Sequence, residues 1–395
     1  MLAVRAKIAP WSTGMLKNHH LGGTLALLLA SLAFNPAVAQ AVPTGEPGIT
    51  LLIPYFEVDL DQPDGLTTLF SVSNSNPAST SRVLAHGIVW SDWGLPVYSW
   101  DFYLGPGDMV SYNVRDLVTY GAFPATHPPA GFGQHCARPL AAGLGPDALA
   151  ALQRRLTGRP DPVDGLCSSE PRLDSSIATG SITIDYVRDC SHDGIDDPFD
   201  DGYLTGQTPI AGELPTLFGD FFLVNPAADL AEGYSAYALH RAASSGDTFW
   251  EGIERPNLRR EPLSTAWRLR FLVGGPFAAR TSFFVYHRRV VPPAPAACET
   301  VPLGASPHGT WSFDVYSESG TRVLHDWRVA NQGRRTAARI ELELPEGVSA
   351  GTVNFRAFYL QGLGVPIEVD GQSMLFGAIE AHGRFGVGVF GTPLN

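Results

Sequence analysis

The acidic stretch DCSHDGIDDPFDDG, residues 189–202, carries side chains suited to binding a metal ion. Five aspartates lie within nine positions and have no basic residue among them: Asp193, Asp196, Asp197, Asp200 and Asp201. Calcium takes about six to eight oxygen ligands, which clustered carboxylates beside glycine turns can supply. The spacing is not that of an EF-hand, because the third and twelfth positions counted from Asp193 are Ile195 and Leu204. The stretch therefore indicates an exposed acidic turn, an irregular calcium site or, third, an acidic catalytic pair. No other cofactor is predicted.

Two aromatic residues offer a different chemistry. Trp93 follows a strand pattern in a turn, and Tyr103 lies on the minority face of the strand PVYSWDFYL, residues 96–104. Exposed flat rings stack on sugars, so the pair indicates a carbohydrate-binding platform. The alternative is that both rings pack beneath a neighbouring segment.

The chain contains four cysteines: Cys136, Cys167, Cys190 and Cys298. An even number without a C-x-x-C spacing favours disulfides over a zinc or redox site. The sequence alone leaves the connectivity open. We predict the pairs Cys136–Cys167 and Cys190–Cys298.

Sequence motifs of common enzyme classes are missing. The chain has no H-E-x-x-H, no G-x-S-x-G and no G-x-x-x-x-G-K-[ST] motif. Beyond Lys17 it contains no lysine, which excludes lysine Schiff-base chemistry from that part of the chain. Histidines fall singly within strand patterns. A glycosidase needs only two suitably separated carboxylates, and the 39 acidic residues leave that class open.

The N-terminal residues resemble an export signal. A basic segment beginning at Met15, an alternative start, is followed by an apolar run over residues 21–34 and by Ala37-Val38-Ala39 before Gln40. We predict that residues 1–39 are a cleaved signal peptide and that the protein is secreted or periplasmic. No later stretch has the roughly 20 apolar residues of a membrane-spanning helix, so no membrane insertion is expected after cleavage.

Charge narrows the choice of partners. The whole chain has 27 basic and 39 acidic residues, and the predicted leader contains three of the basic ones, which leaves 24 against 39. An excess of this size repels nucleic acid and anionic lipid, so we expect a protein or glycan partner that the sequence does not identify.

Period-two alternation dominates the rest of the chain and predicts an all-β fold. In PVYSWDFYL, Tyr98, Trp100 and Phe102 alternate with more polar residues. The remaining strand candidates are 49–57, 67–74, 82–91, 107–113, 180–187, 216–224, 233–241, 264–274, 281–289, 310–317, 322–330, 352–360 and 371–379. Short strands separated by turn residues indicate two Ig-like β-sandwich domains, over residues 45–292 and 305–395. The Pro/Ala-rich residues 293–304 are predicted to link them.

One helix is predicted within a Pro-rich insertion, residues 121–178. GPDALAALQRRLTG, residues 145–158, has Pro146 near a helix start, Leu149, Leu152 and Leu156 on one stripe, and Gly158 as a stop signal. With the predicted Cys136–Cys167 bond, the insertion becomes a disulfide-stapled cover over the first sandwich.

The stretches LLIPYFEVDLDQPDGLTTLFSVSNSN, SITIDYVRDCS and LSTAWRLRFLVGGPF resemble a group of exported, β-rich bacterial proteins of unassigned function. The resemblance covers most of the chain after the leader and carries no catalytic motif. It implies a shared architecture and no activity.

These observations lead to two functional expectations. The first is an exported, non-enzymatic β-sandwich protein that acts as a structural or interaction module in the periplasm or at the cell exterior. The alternative is a calcium-dependent carbohydrate-binding module, or a hydrolase that carries one.

Overall fold

The structure is a computed structural model in which residues 40–395 form one compact unit. It describes residues 45–76, 83–123, 143–171, 176–188, 197–200, 203, 214–242, 249, 260–288, 295–298, 309–329, 335–341, 344, 346–361, 367–383 and 385–394. The predicted signal peptide, residues 1–39, lies outside the described residues.

The described residues are mostly β-strand. Up to residue 242 the strands are β1 (Thr50–Asp59), β2 (Thr67–Asn74), β3 (Val83–Ser91), β4 (Pro96–Leu104), β5 (Met109–Asn113), β6 (Leu166–Cys167), β7 (Ile177–Val187), β8 (Leu217–Asn225), β9 (Leu230–Ser235) and β10 (Tyr237–Leu239). From residue 260 they are β11 (Ala266–Leu272), β12 (Arg280–His287), β13 (Ala296–Ala297), β14 (Gly309–Ser317), β15 (Arg322–Val329), β16 (Ala337–Ile340), β17 (Ala350–Gln361), β18 (Ile367–Gly371), β19 (Ser373–Ala381), β20 (Phe385–Phe390) and β21 (Thr392–Pro393).

The earlier strands form two antiparallel sheets that pack against each other. One has the order β10-β1-β7-β3-β4 and the other β5-β2-β8-β9. Strand β1 is buried along nearly its whole length. Leu51 lies against Gly219 of β8, and the ring of Tyr55 lies 5.1 Å from that of Phe284 on β12. Because β1 is covered on both faces, most of its residues are apolar and they do not alternate with polar ones.

The later strands form two further antiparallel sheets. One has the order β15-β14-β17-β11-β21, with β18 paired to β17, and the other has the order β16-β12-β19-β20. Trp267, Leu269 and Phe271 of β11 are buried, whereas Arg268 and Arg270 between them are exposed. This alternation is that of a sheet with one face in the core and one in solvent.

The all-β prediction is confirmed in its coarse form, but the division into two Ig-like sandwiches at residues 293–304 is not confirmed. Strands β11 and β12 precede that segment and pair with β17 and β19, which follow it. Ala296 and Ala297 within it form β13, which pairs with β6. The two halves also share one hydrophobic core, because β1 contacts β12 and β9 contacts β20.

Two α-helices and one short 3₁₀ turn, Pro226–Ala228, lie among the described residues. Helix α2 (Pro146–Thr157) has the predicted bounds, ends before Gly158 at φ 73°, and buries Leu152 and Leu156. Helix α1 (Val114–Tyr120) is absent from the sequence prediction; the Asn113 side chain caps its first turn by accepting from the backbone N–H of Arg115. In the described part of the chain, neither helix combines the length and apolar character that crossing a membrane would take.

Candidate functional site

A cavity of about 300 Å³ lies beside the C-terminal end of α2. Helix α2 and the loop after it supply its charged side chains, while β4 and the β6 region supply apolar ones. We name it the arginine pocket, and its lining residues are Leu95, Pro96, Val97, Arg154, Arg155, Arg159, Asp161, Asp164, Leu166, Ser168 and Pro295.

The backbone around α2 fixes where the pocket's charges lie. The Arg154 carbonyl accepts from the N–H groups of Gly158 and Arg159, so the chain turns back at the helix end. The Arg155 carbonyl accepts from the hydroxyl of Ser169, which ties the helix end to the strand segment after β6. Cationic side chains at a helix C-terminus are stabilised by the partial negative charge of the last carbonyls.

Two of the pocket arginines are not engaged in an ion pair with any described residue. Within the described residues, the side chains of Arg154 and Arg155 form no ion pair, and the buried Nε of Arg154 has no hydrogen-bond partner. A buried donor without an acceptor costs about 1 to 3 kcal/mol. The pocket thus carries three arginines and two aspartates in a protein whose net charge is −12.

The wall opposite the helix is held by a disulfide that differs from the predicted one. Cys167 is bonded to Cys298, with a Cα–Cα distance of 5.0 Å. The predicted pairs Cys136–Cys167 and Cys190–Cys298 are therefore wrong. The ladder between β6 and β13 brings Cys167 opposite Ala296, next to Cys298, which sequence separation could not reveal. Cys136 and Cys190 lie outside the described residues.

The predicted sugar-stacking residues are not at the surface. Trp93 is 1% exposed and packs with Leu95 and Cys167 against the disulfide, and its indole N–H points to Glu170 at 3.4 Å. Tyr103 is 5% exposed. Neither ring offers a face to a sugar, because both are buried, Trp93 beneath the segment around the disulfide.

The acidic stretch is described only at residues 197–200 and, just beyond it, at residue 203. There the Asp197 carboxylate accepts from the N–H of Phe199 at 2.7 Å, and the Asp200 carboxylate accepts from the N–H of Asp197 at 2.8 Å. Both side chains thus act in a turn. Asp193, Asp196 and Asp201 lie outside the described residues, so the calcium site stays a prediction. Among the side chains that are described, no group of three or more possible ligands is arranged to hold a metal ion.

A buried ionic network centres on Asp185 of β7. Its carboxylate accepts from the hydroxyl of Thr50 and, at 2.5 Å, from that of Tyr203. Arg260 donates from Nε to Thr50 Oγ1 at 2.6 Å, and its Nη2 lies 3.5 Å from Asp185 Oδ1. All four residues are fully buried. Burial and the neighbouring Asp185 charge raise the pKa of Tyr203, so its hydroxyl stays a donor.

A buried histidine lies on the strand next to Asp185. His86 is the β3 neighbour of Asp185, and its Nδ1 lies 2.7 Å from Asp101 Oδ1 on β4. The His86 ring also contacts that of Tyr203, with centroids 5.7 Å apart. Because His86 is fully buried, this carboxylate–histidine pair stabilises the sheet and is closed to substrate.

A second ionic network joins the two halves of the fold. The Nη1 atom of Arg339, on β16, lies 3.2 Å from Glu57 on β1. Its Nη2 atom lies 3.9 Å from Glu380 on β19. Tyr55 donates its hydroxyl hydrogen to Glu57 at 2.8 Å, and Arg339 donates to Ser282 at 2.8 Å. One guanidinium therefore meets carboxylates from both halves.

Glu232 of β9 is the third carboxylate of this network. It is 4% exposed, its Oε1 has no hydrogen-bond partner among the described residues, and its Oε2 lies 3.5 Å from the Tyr234 hydroxyl. Burial, and then the charge of Glu380, raise the pKa of Glu232 to about 7, although the charge of Arg339 opposes this. Glu232 thus binds a proton near neutral pH.

This proton makes stability depend on pH. Because the pKa of Glu232 is about 7 in the folded protein against an ordinary value of 4.5, its contribution to stability is complete below about pH 4.5 and is lost as the pH rises through 7. The shift corresponds to a loss on the order of 2 to 3 kcal/mol. We expect Glu232→Gln to be more stable than the unchanged protein at pH 8 by this amount, and equal to it at pH 4.5, in urea unfolding. Glu318→Gln, at an exposed turn, is the control; a constant difference across pH would refute the assignment.

Comparison of the chain with protein-family models, curated proteins and solved structures finds no match. No relative therefore assigns a function to the site.

The arginine pocket was not predicted, although the charged residues that line it are clustered in the sequence. QRRLTGRPDPVDG, residues 153–165, places three arginines and two aspartates around a predicted helix stop. The cross-strand pair His86–Asp101 was missed because the two residues lie on separate strands.

Proposed function

We propose that this protein is an exported, non-enzymatic binding protein that binds a small molecule through its carboxylate group in the arginine pocket. The observation that carries the proposal is that Arg154 and Arg155 line one cavity and that neither side chain forms an ion pair with a described residue. A carboxylate fits this need, since guanidinium and carboxylate form two parallel charge-assisted hydrogen bonds.

Access to the pocket supports binding of a dissolved ligand. Arg155, Arg159 and Asp164 are exposed, so the charged rim faces solvent. Leu95 and Val97 are buried and form an apolar wall. Ligand sites commonly combine an apolar lining with a few placed polar groups.

The other ionisable clusters favour binding over catalysis. The pairs His86–Asp101 and Arg260–Asp185 are buried within the fold, and Glu57 is engaged by Arg339. Their side chains stabilise the sheets and the contact between the two halves. Export is supported by the leader-like N-terminus and by the Cys167–Cys298 bond, since disulfides persist in oxidising compartments.

A neutral analogue tests this proposal. We expect the purified protein to bind 4-methylpentanoate and to bind the uncharged 4-methylpentanamide at least ten-fold more weakly in isothermal titration calorimetry. Arg154→Gln should weaken 4-methylpentanoate binding by about 10- to 100-fold, the effect of losing a charge-assisted pair. Arg270→Gln, at an exposed position on β11, should leave it unchanged. Equal binding of acid and amide, or an unaffected Arg154→Gln variant, would contradict the proposal.

A further inference from the structure

The arginine pocket also contains negative charge. Asp161 and Asp164 line the same cavity as Arg154 and Arg155. Asp161 Oδ1 accepts from the N–H of Val163 at 2.9 Å, and Asp164 Oδ1 accepts from the N–H of Leu166 at 2.8 Å. These turns fix both carboxylates at the rim. The second oxygen of each makes no hydrogen bond with any residue that the structure describes.

The pocket's charges come from two parts of the backbone. Arg154 and Arg155 lie on the last turn of α2, whereas Arg159 and the two aspartates lie on the loop that runs from the helix to β6. Together they face a cavity of about 300 Å³. A ligand with only negative charge would gain from the arginines and lose to the aspartates.

An apolar wall completes the pocket. Leu95, Val97 and Leu166 line it together with Pro295, which the Cys167–Cys298 disulfide holds nearby. The volume lies at the lower end of the range for ligand sites, ~300–1,000 Å³, which suits a single small molecule better than a chain of residues.

We propose that the ligand is a zwitterion, a free α-amino acid with an aliphatic side chain. Its carboxylate binds Arg154 and Arg155, its ammonium group binds Asp161 and Asp164, and its side chain lies on the apolar wall. This inference rests on the proposed function and names the ligand class for that same pocket.

Three related probes separate the two charges of the ligand. L-leucine carries both, 4-methylpentanoate lacks the ammonium group, and leucinamide lacks the carboxylate. We expect L-leucine to bind the purified protein at least ten-fold more tightly than either of the others in isothermal titration calorimetry.

Matched variants test the role of the aspartates. Asp161→Asn and Asp164→Asn keep the oxygen that accepts the turn hydrogen bond, so the loop is retained. Each should weaken L-leucine binding by about ten-fold and leave 4-methylpentanoate binding equal or stronger. Asp147→Asn, an equal change of charge in the first turn of α2, should change neither.

The outcomes distinguish this inference from the proposed function. If 4-methylpentanoate binds as tightly as L-leucine, or if the aspartate variants weaken both equally, the zwitterion inference is wrong while the anion pocket stands. If neither compound binds, both proposals are wrong. Circular dichroism of each variant verifies that a lost affinity does not come from a lost fold.

Discussion

Replacing Arg260 with methionine should lower the free energy of unfolding by about 3 to 5 kcal/mol, the cost of leaving a buried charge without its partner. Arg260 and Asp185 are both fully buried, and Arg260 reaches Asp185 directly and through Thr50. In the variant, the Asp185 carboxylate keeps only the neutral donors Thr50 and Tyr203. Methionine fills a similar volume, so the loss reports the charge rather than a cavity.

Urea unfolding of single and paired variants measures this effect. Asp185→Leu together with Arg260→Met removes both charges and should recover most of the loss, because a buried pair and an apolar replacement are often similar in stability. Arg268→Gln, at an exposed residue of β11, is the control for loss of a positive charge. Typical surface substitutions change the free energy of unfolding by less than about 0.5 kcal/mol. A change this small in Arg260→Met would show that the ionic network does not stabilise the fold.

The second large effect concerns the Cys167–Cys298 disulfide. The two cysteines are separated by 131 residues in the sequence. For a closed loop of this length, the chain-entropy model gives a stabilisation of the folded protein of about 5 kcal/mol. Measured losses are usually about 2 to 5 kcal/mol, and we expect the double variant Cys167→Ser and Cys298→Ser to fall in this range in urea unfolding. The bond also holds the wall of the arginine pocket, so the same variant should bind its ligand more weakly.

A single variant separates the observed pairing from the one inferred from sequence. If Cys167 bonded to Cys136, the variant Cys136→Ser would free the Cys167 thiol. We expect Cys167 to stay unlabelled by a thiol reagent in that variant, with its peptide linked to that of Cys298 in non-reducing mass spectrometry. Labelling at Cys167 would refute the disulfide described here.

Helices and strands were predictable where residues close in the sequence determine their bounds. Helix α2 has its predicted bounds because Pro146 and Gly158 act on the backbone within a few residues. Strand β11 shows its predicted alternation because one of its faces lies in solvent. Helix α1 was missed, although Asn113 and Gly121 are cap residues, because only seven residues separate them and the strand pattern before them is stronger.

Long-range features could not be predicted in the same way. The Pro/Ala composition of residues 293–304 is that of a linker, yet Ala296 and Ala297 pair with β6. Composition describes the stiffness of a chain and does not say which surface lies beside it. For the pocket, the sequence showed the arginines and aspartates within thirteen residues, 153–165. It could not show that Leu95 and Pro295 close the cavity around them.

The pairing of β12 with β19 has a consequence for biosynthesis. A ribosome delivers β12, residues 280–287, well before its neighbour at residues 373–381. Until that neighbour emerges, the edge of β12 that faces β19 has no strand to pair with, although β16 can already occupy the other edge. Unpaired edges of this kind invite aggregation, so the unfinished chain is more prone to aggregate than the complete one.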